Sequence, residues 1–224
     1  MLTPVVGHPE SLAEIEKKLR DRGVQLLDIE FFWLRADTKV RDFVPFMEAG
    51  ARLGAKYMLV GADDSDRNRL MDHWLELCDL AGTFQLRPSL EFMPISNIKS
   101  YASAIDILMS AHHSNAGVTI DSIHFDRSNS RVEEILSSHP ISYIQLCDAP
   151  AEQPDSLDEM RRQAKEDRLP PGSGGIDLVR LLRALPSNLP ISVEVPLGGE
   201  RRKLSHYEKA QLVYDATMKL LAKL

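Results

Sequence analysis

The chain has 224 residues, 43% of them hydrophobic, and a formal charge of −6, enough apolar material for one large core or at most two. A sequence pI near 5.7 gives no basic footprint and argues against an extended phosphate backbone as partner, and no apolar run reaches the ~18 residues of a membrane span. Two cysteines, Cys78 and Cys147, are too few for a disulfide framework, and residues 1–10 lack the charged and apolar regions of a signal peptide, so a cytoplasmic location is expected.

The first predicted element is a helix over Pro9–Arg22, with Leu12, Ile15 and Leu19 on one face and Gly23 as its stop. A strand over 24–30 should follow, then a helix over 40–53 ended by Gly54, and a second strand over 57–61. The alternation continues: helix 65–82, strand 86–92, helix 97–112, strand 117–122, a short helix near 131–136, and strand 142–147. A long connection, 149–175, precedes helix 176–184 and strand 190–195, and helix 204–222 closes the chain with Tyr207, Ala210, Val213, Tyr214 and Leu221 on one face.

Strict alternation with short connections predicts parallel strands with helices outside, as a closed barrel or an open doubly wound sheet. The strand interiors favour the barrel. In the last four strands one parity is apolar (Leu90; Val118 and Ile120; Ile144 and Leu146; Ile191, Val193 and Val195), while the other is polar. An open sheet covered on both faces has strands apolar on both, whereas a barrel has one inward face with the active site at its C-terminal mouth. The expectation is therefore a TIM (β/α) barrel, as a single domain over 1–224, with six strands in place of eight. A first strand-helix-strand portion is missing from the pattern, which leaves open an upstream start, a fragment, or closure by another chain. An unpaired first edge predicts self-association, hence a homo-oligomer.

Glu91, Asp121, Gln145 and Glu194 end four successive strands at the polar parity, so a barrel would bring them to one mouth. Three carboxylates and an amide oxygen are hard ligands suited to Mn²⁺ or Mg²⁺, with Co²⁺ or Zn²⁺ as further candidates. Without a cation, three converging carboxylates would raise one another's pKa values.

Several stretches together carry a family resemblance: Leu90-Glu-Phe-Met-Pro94, Asp121-Ser-Ile-His-Phe-Asp-Arg127, Ile144-Gln-Leu-Cys-Asp148, Arg168-Leu-Pro-Pro-Gly-Ser-Gly-Gly-Ile-Asp177 and Ser192-Val-Glu-Val-Pro196. The chain resembles the sugar phosphate isomerase/epimerase family, the xylose isomerase-like TIM barrels. The resemblance implies metal ligation by Glu91, Asp121, Gln145 and Glu194, and a divalent-metal-dependent isomerase or epimerase of a small sugar, sugar acid or polyol ketone. The reaction it implies is proton abstraction beside a carbonyl through a metal-stabilised enediolate, with Glu91 and Glu194 exchanging protons on the two faces. It also implies that His124 donates to a substrate oxygen, that Asp148 orients the pocket or a ligand, and that Arg168 meets an anionic substrate. The missing portion corresponds to barrel strands one and two.

The nearest rival is a dehydratase of the same family, which shares the metal and the base; a non-catalytic remnant is the third reading. Endonuclease members need several zinc-binding histidines and a cationic groove, which this acidic chain does not supply. His112 and His113 suit a helix C-terminus, Cys147 reads as packing, and Asp63, Asp64 and Asp66 read as a solvated loop and helix cap. No Walker or Gly-x-Gly-x-x-Gly loop points to a nucleotide.

Overall fold

A computed structural model describes residues 5–224. Its contacts group into two compact units, one of Met1–Glu91 with Ile107–Val118, the other of Phe92–Asp106 with Thr119–Leu224. Among the described residues no helix is long and apolar enough to cross a membrane.

In the first unit, α1 (Pro9–Arg22) ends where Gly23 turns left-handed, at φ 62°, and returns its N–H to Arg20 and Leu19. β1 (Asp28–Leu34), β2 (Tyr57–Ala62) and β3 (Arg87–Glu91) follow in order beside the first residues of β4 (Gly117–Asp121), and β1–β2 and β2–β3 are parallel. β1 lies about four residues beyond the expected 24–30. Val24 is still bonded back to Leu19, and the Leu27 carbonyl is taken by the amides of Lys56 and Tyr57, so the apolar run 24–27 is a connection. The strand proper carries a register shift between Ile29 and Phe32, which breaks the period of two that its sequence would otherwise display.

α2 (Val44–Arg52) is entered through a 3-10 turn, Val40–Phe43, and packs on β1. α3 (Arg67–Thr83) is capped by Asp66, whose side chain accepts the amides of Asn68 and Arg69, and it buries Leu70, Trp74, Leu77 and Cys78 while packing on β1 and β3. Asp64 is buried, not solvated as expected, because Arg69 grips both its oxygens at 2.6 and 2.7 Å; that pairing holds its pKa below the usual range. His113 bonds Asp79 at 3.1 Å, a tether to α3.

α4 (Tyr101–Ala111) and β4 each contribute residues to both units. In the second unit the order is β4, β5 (Ile141–Leu146), β6 (Ile191–Val193), and β5–β6 is parallel. α5 (Ser122–Arg127) starts directly at the end of β4, and only a 3-10 turn, Val132–Glu134, stands where a helix near 131–136 was expected. The connection 149–175 contains α6 (Leu157–Glu166), capped by Ser156. α7 (Leu178–Ala184) and α8 (His206–Leu221) complete the unit, α8 opening with a reciprocal Ser205–Glu208 capping box. The buried face of α8 is Thr217 and Leu220, and the tyrosines of the expected face are exposed.

Candidate active site

The second unit gathers most of the expected residues around the end of β4. Asp121 is the last residue of β4 and also the N-cap of α5: one oxygen accepts the Ile123 amide at 2.9 Å, which fixes the carboxylate. The first turn of α5 then brings His124 back beside it, with ligand-capable atoms of the two within 4.8 Å of one another. Both are buried. Burial pushes the His124 pKa down to about 4, with Arg168 helping and Asp121 opposing, so at neutral pH its imidazole is uncharged and can donate one hydrogen bond or offer one lone pair.

Arg168 supplies the other oxygen of Asp121 with a donor, Nη1 at 2.7 Å. The same nitrogen lies 3.3 Å from Glu194 Oε2, and Nε donates to the Ala164 carbonyl at 2.6 Å. Burial works against the charge, but Asp121 and Glu194 outweigh it and hold the pKa of Arg168 above its ordinary value. The guanidinium expected to meet an anionic substrate is thus an internal counter-ion. Its backbone is fixed as well, with the amide of Arg168 bonded to Pro196 and residue 169 bridged to Asp148.

Gln145, on β5, is buried, and its Oε1 has no hydrogen-bond partner among the described residues. A buried amide oxygen in that state costs free energy unless a ligand takes it. This is the observation that tests a metal ion here, and the donors fit: an unclaimed amide oxygen, a fixed carboxylate and a neutral imidazole are ligands for a divalent cation. His124 therefore counts among the candidate ligands as well as the substrate contacts. Glu194 follows β6, its amide continuing the pairing to Leu146 at 3.2 Å, with 43% of its side chain exposed. Glu91 ends β3 in the first unit, buried and in register with Gly61.

Two neighbours serve the framework. Cys147 is buried in a cluster with Ile123 and Ala149, and burial pushes its thiol up to about 12, so it packs as a neutral group. Asp148 accepts the amides of Ala149 and Gly174 at 2.8 Å and of Ile176 at 3.1 Å, and so fixes the backbone around Gly174–Ile176. A Cβ on Gly174 would strike that carboxylate and the Ala149 carbonyl, which explains the glycine in Pro-Pro-Gly-Ser-Gly-Gly. Asp148→Ala would orphan three amides and is expected to cost about 2–3 kcal/mol in urea unfolding; a loss under about 0.5 kcal/mol would show that water replaces the carboxylate.

Residues the sequence pattern did not single out also build the site. Ser122 Oγ donates to the Cys147 carbonyl at 2.8 Å and accepts its amide at 2.9 Å, stitching β4 to the end of β5. Buried Arg127 joins α5 to α6 through Gln163 at 2.9 Å and to the Pro150 carbonyl at 2.7 Å.

The sequence pattern of the xylose isomerase-like TIM barrel matches residues 6–223. The chain belongs to that family. Among curated xylose isomerase-like relatives, inosose isomerase of Bacillus velezensis is 26% identical over 234 residues, covering 95% of this chain and 81% of the relative. Inosose isomerase of Bacillus licheniformis is 26% identical over 198 residues, 82% of this chain and 69% of the relative. Among solved structures, the IolI protein with a bound zinc atom superposes with a TM-score of 0.81 at 24% identity, over 96% of this chain and 83% of that one. This xylose isomerase-like barrel is thus similar in sequence to sugar isomerases over most of its length.

Proposed function

We propose that the protein is a divalent-metal-dependent isomerase or epimerase of a small sugar, sugar acid or polyol ketone. The unpartnered, buried Oε1 of Gln145 is the observation that carries this reading, and similarity to inosose isomerases supports the reaction class. Glu91, Asp121, Gln145 and Glu194 would hold the ion, with Mn²⁺ or Mg²⁺ favoured by the oxygen donors and Co²⁺ or Zn²⁺ suited if His124 joins them. When bound, the ion supplies Lewis acidity that makes a proton beside a substrate carbonyl acidic.

The chain's own residues do the rest. Arg168 holds Asp121 in place through Nη1 at 2.7 Å. Glu91 and Glu194 remove and return the proton at carbon from the two faces of the substrate. Neutral His124 donates an N–H to the substrate oxygen on which charge develops.

The test is twofold. Mn²⁺ should raise the melting temperature of the wild type and not of Gln145→Leu, because an ion stabilises the state that binds it. In D₂O, the loaded enzyme should exchange the α-proton of one member of a panel of ketoses and cyclic polyol ketones. Exchange followed by loss of water would identify the dehydratase, and absence of both metal effect and exchange would leave the non-catalytic remnant.

A further inference from the structure

The two faces of the first unit's sheet are set by register. Trp33 pairs with Gly61, and Gly61 with Glu91, whereas Phe32 pairs with Val60 and Val60 with Leu90, and paired residues of parallel strands point to the same side. The Phe32 face is covered by helix: Phe32 meets Phe43 and Phe46 at centroid distances of 5.1 and 5.9 Å, and Ile29 rests where Gly50 of α2 lacks a side chain. The Trp33 face carries Glu91. The register shift after Ile29 turns Phe31 to that same face. A Cβ on Gly61 would lie 2.7 Å from the Phe31 ring and 2.9 Å from that of Trp33, so both rings lean across β2, the strand between β1 and Glu91. They meet each other at 5.0 Å and 56°, and Arg35 holds Trp33 from outside, its guanidinium 5.0 Å from the ring centroid.

Phe31 is 37% exposed, an exposed aromatic side chain on the same side of the sheet as buried Glu91. We infer that Phe31, backed by Trp33, is a stacking platform that selects a cyclic polyol ketone over an open-chain one as the substrate presented to Glu91. The chemistry is that of a ring with two faces. Its C–H bonds on one face form a flat, weakly electropositive surface that suits the negative face of an aromatic ring, while its hydroxyls and carbonyl stay at the edge, free to reach polar groups. An open-chain sugar has no such flat side and would lose chain entropy on being flattened. β1 and β3 are two strand spacings apart, about 10 Å, a span that one small ring can bridge.

This inference rests on the proposed reaction, and the experiment separates the two. Trp33 and Trp74 are the only tryptophans, and Trp74 is fully buried, so a ligand-dependent change in emission reports on Trp33. The probes are myo-inositol and sorbitol, polyols of equal carbon and hydroxyl count that differ in ring closure. Myo-inositol should shift the emission saturably, at a concentration roughly tenfold lower than sorbitol requires. Phe31→Leu should raise the half-saturation for myo-inositol roughly tenfold, Phe31→Tyr should restore it, and Trp33→Phe should abolish the signal. Gly61→Ala, which displaces both rings, should weaken the response as Phe31→Leu does. Equal responses to the two polyols, no response, or a Phe31→Leu curve matching the wild type would overturn the platform. An emission response without α-proton exchange of any ketone would defeat the reaction and leave the platform standing; exchange without the response would defeat the platform alone.

Discussion

Arg168→Met is expected to lower the unfolding free energy by about 3–5 kcal/mol, the range for removing one member of a buried ion pair. Methionine matches the stem of arginine but not its charge. Asp121, fully buried, would then keep an amide on one oxygen and nothing on the other, where Arg168 Nη1 stands at 2.7 Å. The Ala164 carbonyl, now bonded to Nε at 2.6 Å, would lose its donor as well. Arg168→Lys should recover only part of the loss, because an ammonium cannot reach Ala164 and Asp121 at once as the planar fork does. A divalent cation offers the buried carboxylates a different counter-charge, so Mn²⁺ should raise the melting temperature of Arg168→Met by more than that of the wild type. Urea unfolding in chelator and in Mn²⁺ measures both effects. A loss below about 1 kcal/mol in chelator would mean that Asp121 is protonated or hydrated when Arg168 is gone, and the counter-ion role would fall.

The placement of these residues shows what a single sequence carries. Asp121 was legible because β4 alternates Val118, Thr119, Ile120, Asp121, and Gln145 because it stands between Ile144 and Leu146 near the tip of β5. Glu194 was legible for the same reason, although β6 itself is only Ile191–Val193. β1 was not, because the shift between Ile29 and Phe32 puts Phe31, Phe32 and Trp33 in a continuous aromatic run that hides which of them face the same way. α6 was hidden within a polar connection; the Ser156–Glu159 capping spacing was its signal, and with so few apolar residues behind it no helical stripe appeared. The Arg168–Asp121 bond joins residues 47 positions apart, and no local pattern encodes a partner at that distance. Asp148 reads in sequence as one more acid near the site, and its role lies in three backbone amides that have no side-chain signature.

Glu91→Gln and Glu194→Gln should each reduce turnover by about 10²–10⁴, the usual contribution of a positioned acid or base, and should do so differently. Glutamine keeps the length and an oxygen ligand of either residue, so metal-dependent melting should persist in weakened form while proton transfer is lost. Glu194 is partly exposed and touches Arg168 at 3.3 Å, and a solvent-screened contact of that kind contributes little to stability; its variant should melt within a few degrees of the wild type. Glu91 is buried, so its variant should differ more in stability, and chemical denaturation would record that separately from activity. If the two serve opposite faces of the substrate, each single variant should still wash deuterium into the face served by the other, at a reduced rate, while interconversion of the two isomers stops. The double variant should then exchange deuterium at neither face above background. Full interconversion by either single variant would remove that residue from the proton path; loss of exchange on both faces in one variant would assign both transfers to a single base, with the other glutamate acting only through the metal.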